Sequence, residues 1–278
     1  MFGSELRWVP EFGALERAAI RVYGSLSAPT VTRYTRFKYF GLRFFRRQGI
    51  RPAKILDYGC AYGAFGFDLA RRDRGARVFL YDANPAVVDK CRTIANRGGF
   101  ANVTVLDDEA LERESGFSLI LLISVLEHVE DDQGLLERLR DKLAPDGHLF
   151  VMVPAGHGHE CSERDHYLHH VRPGYERADL VALVERAGLE VVAEPASYAP
   201  GEPGPPLRIL NSAYAALTRT PDHRLLDFGS LPRLSLWKKG ALALLWPFLR
   251  LALELDAASA GMRSDRVALI ARRRPTEA

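Results

Sequence analysis

A chain of 278 residues and 31.0 kDa, 47% hydrophobic and 26% charged, can bury a sizeable core, which excludes a globally disordered protein. Its formal charge of +3 and pI near 8.8 are too mild to demand an anionic polymer as partner, and no nucleic acid is expected. Cys60, Cys91 and Cys161 are odd in number and far apart along the chain, so they do not form a disulfide framework, and a reducing cytoplasm is the expected setting.

The first residues, MFGSELRWVPEFG, carry acids and a proline where a signal peptide has a basic start and an apolar run. Residues 1–51 hold no strand pattern and are expected to form a helical cap. Between Thr30 and Gln48, Tyr34, Phe37, Phe40 and Phe44 share one helical face, with arginines on the other. That basic, aromatic stripe could suit RNA, but no RNA-binding motif accompanies it, and a solvated helix face is the simpler reading.

After Pro52 the character changes. KILDY is followed by a helix from Phe65 to Arg72, RVFLYD by a helix from Pro85 to Ala95, and NVTVLD by SLILLIS. Then come a helix from Leu135 to Leu143, the strand HLFVMVP, a helix from Leu180 to Ala187 stopped by Gly188, and the strand LEVVAEP. Strands rich in Val, Ile and Leu, separated by helices, predict a parallel α/β sheet covered on both faces, here over 52–194. A Pro- and Gly-rich loop opens a helical insertion over 195–262, and RVALIAR, within 263–278, reads as a last strand.

The insertion contains ALALLWPFLRLALEL, too short for a bilayer and interrupted by Pro247, Arg250 and Glu254. One reading has it roof the substrate pocket, with Arg250 and Glu254 forming a polar stripe toward water. The other makes 236–255 a peripheral membrane contact, helped by Lys238 and Lys239.

The strongest signal is KILDYGCAYGAFGFDLA, a buried strand running through Gly59 and Gly63 into a helix. Glycine lets the backbone turn sharply and approach a ligand, and the helix N-terminus offers free N–H groups. Such a loop at the carboxyl end of the first strand is where doubly wound sheets bind nucleotides. The dinucleotide fingerprint G-x-G-x-x-G is not met, because Cys60 and Ala61 follow Gly59. Asp57 instead places a carboxylate where an amine-bearing cofactor suits better than a diphosphate. Asp82, ending the second strand, stands where an acid holds both ribose hydroxyls. A tight turn with no ligand is the competing reading.

LDYGCAYG, LYDANP, VTVLDDEAL, SLILLISVLEHVED and LRDKLAPDGHLFVMVP resemble, in this order, the motifs of class I S-adenosylmethionine (SAM)-dependent methyltransferases, over about residues 52–194. The resemblance implies a Rossmann-like, doubly wound seven-stranded sheet with an antiparallel last strand, and SAM as cofactor. It implies that Asp57 and the backbone of Gly59, Cys60, Ala61 and Gly63 serve the methionine end. Asp82, with Ala83 beside it, would hold the ribose, Asp107 and Asp108 would border the adenine, and Ser124 would lie beneath the sulfonium. Ala61 and Tyr62 depart from the usual Gly-x between the flanking glycines.

Methyl transfer needs alignment of a nucleophile more than a base, because the cofactor brings the activated carbon. Two histidine sites compete for a chemical role. His128 follows the fourth strand in LEHVED, where the alternative is a helix cap with Glu127 orienting a loop. His170 lies in HHVRPGY, which resembles the G-H-x-R-x-Y segment of a methyltransferase subgroup, with Arg172 and Tyr175 matching and His169 replacing the glycine. A loop clamped by histidine hydrogen bonds is the alternative there. His157, His159, Glu160, Cys161, Asp165 and His166 are all possible ligands, yet their spacing matches no standard zinc pattern, so no metal is expected.

The expected activity is methyl transfer to oxygen of a small-molecule, sugar or lipid-linked (glycan-like) acceptor. The alternative is a catalytically silent scaffold of the same fold. Sequence says nothing of oligomeric state.

Overall fold

The computed structural model describes residues 2–24, 28–156, 161, 169–195, 235–258 and 266–274. Seven strands form one sheet: β1 (Lys54–Tyr58), β2 (Arg77–Tyr81), β3 (Val103–Leu106), β4 (Phe117–Ile123), β5 (Leu143–Pro154), β6 (Leu189–Ala193) and β7 (Arg266–Arg273). Their order is β3-β2-β1-β4-β5-β7-β6. Neighbours from β3 to β5 pair in parallel, and β7 runs antiparallel to both β5 and β6. The order reverses between β1 and β4, and that switch point opens a crevice at the carboxyl ends of the two strands.

Nine α-helices lie among the described residues. In the N-terminal cap, α1 (Ala14–Tyr23) precedes α2 (Ala28–Arg36), which continues through a π-helical turn at Phe37–Leu42 into α3 (Arg43–Arg47). The core contributes α4 (Ala64–Arg72), α5 (Pro85–Gly98), α6 (Asp108–Arg113), α7 (Asp132–Lys142) and α8 (Arg177–Arg186), and α9 (Leu236–Ala258) precedes the last strand. Local chemistry sets several ends. Asn84 caps α5, its side chain accepting from the Ala86 N–H, and Pro85 follows at the first turn. Asp131 caps α7 in the same way, which starts that helix three residues before the Leu135 that apolar periodicity predicts.

Side chains alternate across the pleat, so β4 sends Leu119, Leu121 and Ile123 to one apolar layer and Ile120 and Leu122 to the other. The second layer holds Leu135, Leu136 and Leu139 of α7 with Leu180, Leu183 and Val184 of α8. The first is covered by the cap. Phe37 meets Phe150 edge-on at 4.9 Å between ring centroids, and Phe2 stacks on Tyr34 at 3.6 Å. The Tyr34 hydroxyl donates to buried Asp68 of α4 at 2.9 Å. Of the predicted aromatic face, Tyr34 and Phe37 are buried, whereas Phe40 and Phe44 are partly buried.

Helix α9 corrects one expectation. Trp246 and Leu249 are fully buried, and Glu254 accepts from Lys38 Nζ at 2.8 Å and from the Tyr39 hydroxyl at 3.0 Å. Glu254 therefore ties α9 to the cap rather than facing water. The opposite flank is apolar: Trp237, Leu244, Phe248, Leu251 and Leu255 are 58–76% exposed. Most of the expected insertion (196–234 and 259–262) and the side chains of Lys238 and Lys239 lie outside the described residues. Among the described residues no helix is long and apolar enough to cross a membrane.

Candidate active site

The loop between β1 and α4 is shaped by three positive φ angles. Gly59 has φ +68°, and a Cβ there would meet Val125 Cγ2 at 2.5 Å. Gly63, which caps α4, has φ +73°, and its Cβ would meet Phe67 and Leu80 at 2.7 and 2.9 Å. Between them Ala61 adopts φ 49°, a left-handed conformation that L residues other than glycine rarely take. The departure at Ala61 is thus accommodated as mild backbone strain rather than as a changed turn.

This loop walls a cavity of about 100 Å³ whose lining includes Asp57, Gly59, Cys60, Ala61, Ile123 and Ser124. Leu6, Thr30 and Arg33 of the cap line its other side, a contribution that sequence reasoning missed because no local pattern connects residues 6 and 33 to residue 57. That volume is below the roughly 300–1,000 Å³ of ordinary ligand pockets. Gly63 does not line it, and its missing side chain serves helix-to-strand packing. Cys60 and Cys91 are free thiols with sulfurs 3.9 Å apart, and the Cys91 thiol donates to the Ala61 carbonyl at 3.1 Å.

Asp57 is buried, and its Oδ2 accepts from the Gly66 N–H in the first turn of α4 at 2.9 Å. Burial pushes its carboxyl up to about 7; the Gly66 N–H opposes this and the Asp82 charge adds to it. Asp82 follows directly on β2 and organises the loop, its Oδ2 accepting from the Ala61 N–H at 2.9 Å and its Oδ1 from the Asn84 N–H at 3.0 Å. At the end of β3, Asp107 caps α6 and is largely exposed, while Asp108 accepts from the Tyr81 hydroxyl at 2.7 Å. Of the expected cofactor residues, Asp82, Ala83, Asp107 and Asp108 do not line the cavity.

The second half of the site follows β4 and β5. Ser124 has φ 57°, and its hydroxyl accepts from Arg266 Nη1 at 2.7 Å. Glu127 is 1% exposed, and burial raises its carboxyl against the charges of Arg266, His128 and Arg33. His128 and His170, 42 residues apart in sequence, lie edge-to-face at 4.7 Å between ring centroids. His128 Nδ1 is 3.2 Å from the carbonyl of His169, which has φ 59° where the resembled segment has glycine.

Arg172 locks the two loops together. Its guanidinium pairs with Asp132 and donates to the carbonyls of Val129 at 2.8 Å and Glu130 at 3.0 Å. Tyr175 donates to Asp132 Oδ2 at 2.8 Å. Arg172 and Tyr175 are thus structural here. Cys161 is described, whereas His157, His159, Glu160, Asp165 and His166 lie outside the described residues.

Residues 32–194 match the family model described as a methyltransferase domain. The chain is 33% identical over 110 residues to trans-aconitate 2-methyltransferase of Deinococcus radiodurans, covering 39% of this chain and 41% of that protein. It is 29% identical over 121 residues to the mitochondrial ubiquinone biosynthesis O-methyltransferase of Schizosaccharomyces pombe, covering 42% and 43%. The chain therefore spans less than half the length of these curated relatives. Its fold is similar to coclaurine N-methyltransferase bound to N-methylheliamine and SAH, with TM-score 0.53, 16% identity and coverage of 83% and 71%. It is also similar to the [4+2]-cyclase SpnF, with TM-score 0.50, 17% identity and coverage of 80% and 74%.

Proposed function

This chain belongs to the class I SAM-dependent methyltransferases, and on that premise we propose that it moves a methyl group from SAM to an oxygen of a small-molecule acceptor. The observation that carries the reading is a single cavity at the switch point, walled by buried Asp57, side-chain-free Gly59 and Ser124. The donors fit the cofactor. Asp57 offers a buried carboxylate to an ammonium, and Gly59 leaves open the space that a Cβ would fill. Asp82 keeps accepting capacity for hydroxyls beyond the two N–H groups it already holds. When bound, SAM supplies a sulfonium-activated methyl carbon, which the acceptor oxygen's lone pair takes as the C–S bond breaks and the pair stays on sulfur.

The chain's own part is to bind, orient and exclude water. Leu6, Thr30 and Arg33 of the cap close the cavity on the side away from the loop. His128 and His170 sit together beyond β4, where an acceptor hydroxyl would approach, and we assign them to contact with that acceptor. Similarity to relatives named for trans-aconitate and ubiquinone biosynthesis supports a small-molecule acceptor over a glycan-like one. The named cyclase of the same fold shows that fold alone does not decide the reaction.

Calorimetry with SAM and its demethylated product tests the cofactor assignment. Micromolar binding is expected, about −8 kcal/mol. Asp82→Ala is expected to weaken it by about 1.5–3 kcal/mol, the scale of a hydrogen bond to a charged group. Equal affinity in wild type and variant removes Asp82 from the site. Labelled methyl transfer across a panel of hydroxylated, carboxylated and amine acceptors then tests the oxygen assignment.

A further inference from the structure

We propose that Glu127, His128 and His170 hold a divalent transition-metal ion of the zinc class at the acceptor end of the site. One ligand atom from each of the three lies within 4.8 Å of the others. Metal–ligand bonds of about 2.0–2.2 Å place neighbouring ligand atoms roughly 3–3.5 Å apart, so side-chain shifts of up to about 2 Å complete the set. Two imidazoles and one carboxylate are the donors that zinc and its first-row neighbours take in sites that keep positions open.

Two further observations point to a ligand there. Glu127 is 1% exposed, and its Oε2 is buried with no hydrogen-bond partner among the described residues. Native proteins rarely leave a buried carboxylate oxygen so, because it costs about 1–3 kcal/mol or more, and a bound cation would satisfy it. His128 Nδ1 lies 3.2 Å from the His169 carbonyl, which can only accept. Nδ1 therefore carries the proton, and in the neutral ring Nε2 keeps its lone pair for a metal. This is the backbone hydrogen bond by which metal-ligating histidines are ordinarily oriented.

Spacing rules miss such a site, since Glu127 and His128 adjoin in sequence while His170 arrives from another loop. That loop is held in place by the Val171 N–H donating to the Glu127 carbonyl at 2.8 Å and by the Arg172 clamp. The guanidinium of Arg266, bonded to Ser124, is near enough to Glu127 for its charge to act on that carboxyl, and it opposes a second cation. The site is therefore one of moderate affinity that exchanges its metal, not a structural centre. Its open positions would take an acceptor oxygen as a Lewis base and lower the pKa of a hydroxyl. That role rests on the methyl-transfer reading; the metal site itself does not.

The test uses the full-length, tag-free chain stripped with a chelator and titrated with Co²⁺, followed by visible d–d absorption and elemental analysis. One Co²⁺ per chain, displaced by Zn²⁺, is expected. Glu127→Gln and His170→Ala should each weaken uptake at least roughly tenfold, with melting midpoints checked for both. If Glu127→Gln does not fold, His170→Ala decides alone. Absence of stoichiometric uptake overturns the proposal, and so does uptake that survives in the folded variants. SAM titration of the stripped protein separates the two readings. Failure to bind SAM with Co²⁺ uptake intact removes the transferase reading alone, and SAM binding without Co²⁺ uptake removes the metal site alone.

Discussion

The loop after β1 and the paired loops after β4 and β5 sit at the same end of the sheet but hold their shapes by different means. The first is mainly local: Gly59 and Gly63 take positive φ angles and Asp57 bonds the Gly66 N–H, with one longer tie from Asp82 to the Ala61 N–H. The second is non-local: Arg172 reaches across more than 40 residues to Asp132, Val129 and Glu130, and His170 meets His128. A local device is encoded in consecutive residues and breaks when its backbone is forced. A non-local device has redundancy in its staples, but it can shift the chemistry without disturbing the cofactor loop.

Forcing the local loop gives the largest effect. Gly59→Val places a β-branched residue at φ +68° and a Cβ 2.5 Å from Val125. Conformational strain of about 1–2 kcal/mol and overpacking of about 1–3 kcal/mol together predict roughly 3 kcal/mol of destabilisation and loss of SAM binding. Urea unfolding measures the first and calorimetry the second. A loss below about 1 kcal/mol would mean that the glycine is incidental and the contrast between the loops is false.

Cutting the non-local staple comes next. Arg172→Ala leaves Asp132, whose side chain is 15% exposed, without its guanidinium, and strips two carbonyls of a donor. About 2–3 kcal/mol of stability should go, with SAM affinity held within about threefold and turnover reduced. A parallel fall in SAM affinity would show that the two halves are one unit.

The gentlest probe is pH. The Asp57 carboxyl sits at about 7 in the fold and near its ordinary value of 3.8 when unfolded, so the folded state holds that proton more tightly. The stabilisation is complete below pH 4 and is lost as pH rises toward 7, by up to about 1.4 kcal/mol per unit. Asp57→Asn stays neutral and still accepts from the Gly66 N–H, so its unfolding free energy should lack that decline while SAM binding weakens. Identical pH profiles in the two proteins would remove Asp57 as the cause. A bound ammonium favours the ionised acid, so wild-type SAM affinity should also drop below pH 7, up to tenfold per unit.

The sheet was legible because each strand and helix of the core carries its own pattern. Val, Ile and Leu runs ended at Asp57, Asp82 and Asp107, and Pro85 marked the start of α5, whereas the Asp131 cap begins α7 three residues before the apolar periodicity does. Helix α9 was misread at Glu254, because an i, i+4 pair of charges looks solvent-facing until Lys38 and Tyr39 arrive from over two hundred residues away.

Sequence by itself determined the fold, the family and the glycine turn after β1, since periodicity and glycine conformation act between neighbours along the chain. Only the tertiary structure decided that Leu6, Thr30 and Arg33 line the cavity, and that Arg266 reaches Ser124. It alone also brought buried Glu127, His128 and His170 into one cluster. These are contacts between segments far apart in sequence, whose proximity depends on strand order and on burial of the whole sheet, and no local pattern of residues records either.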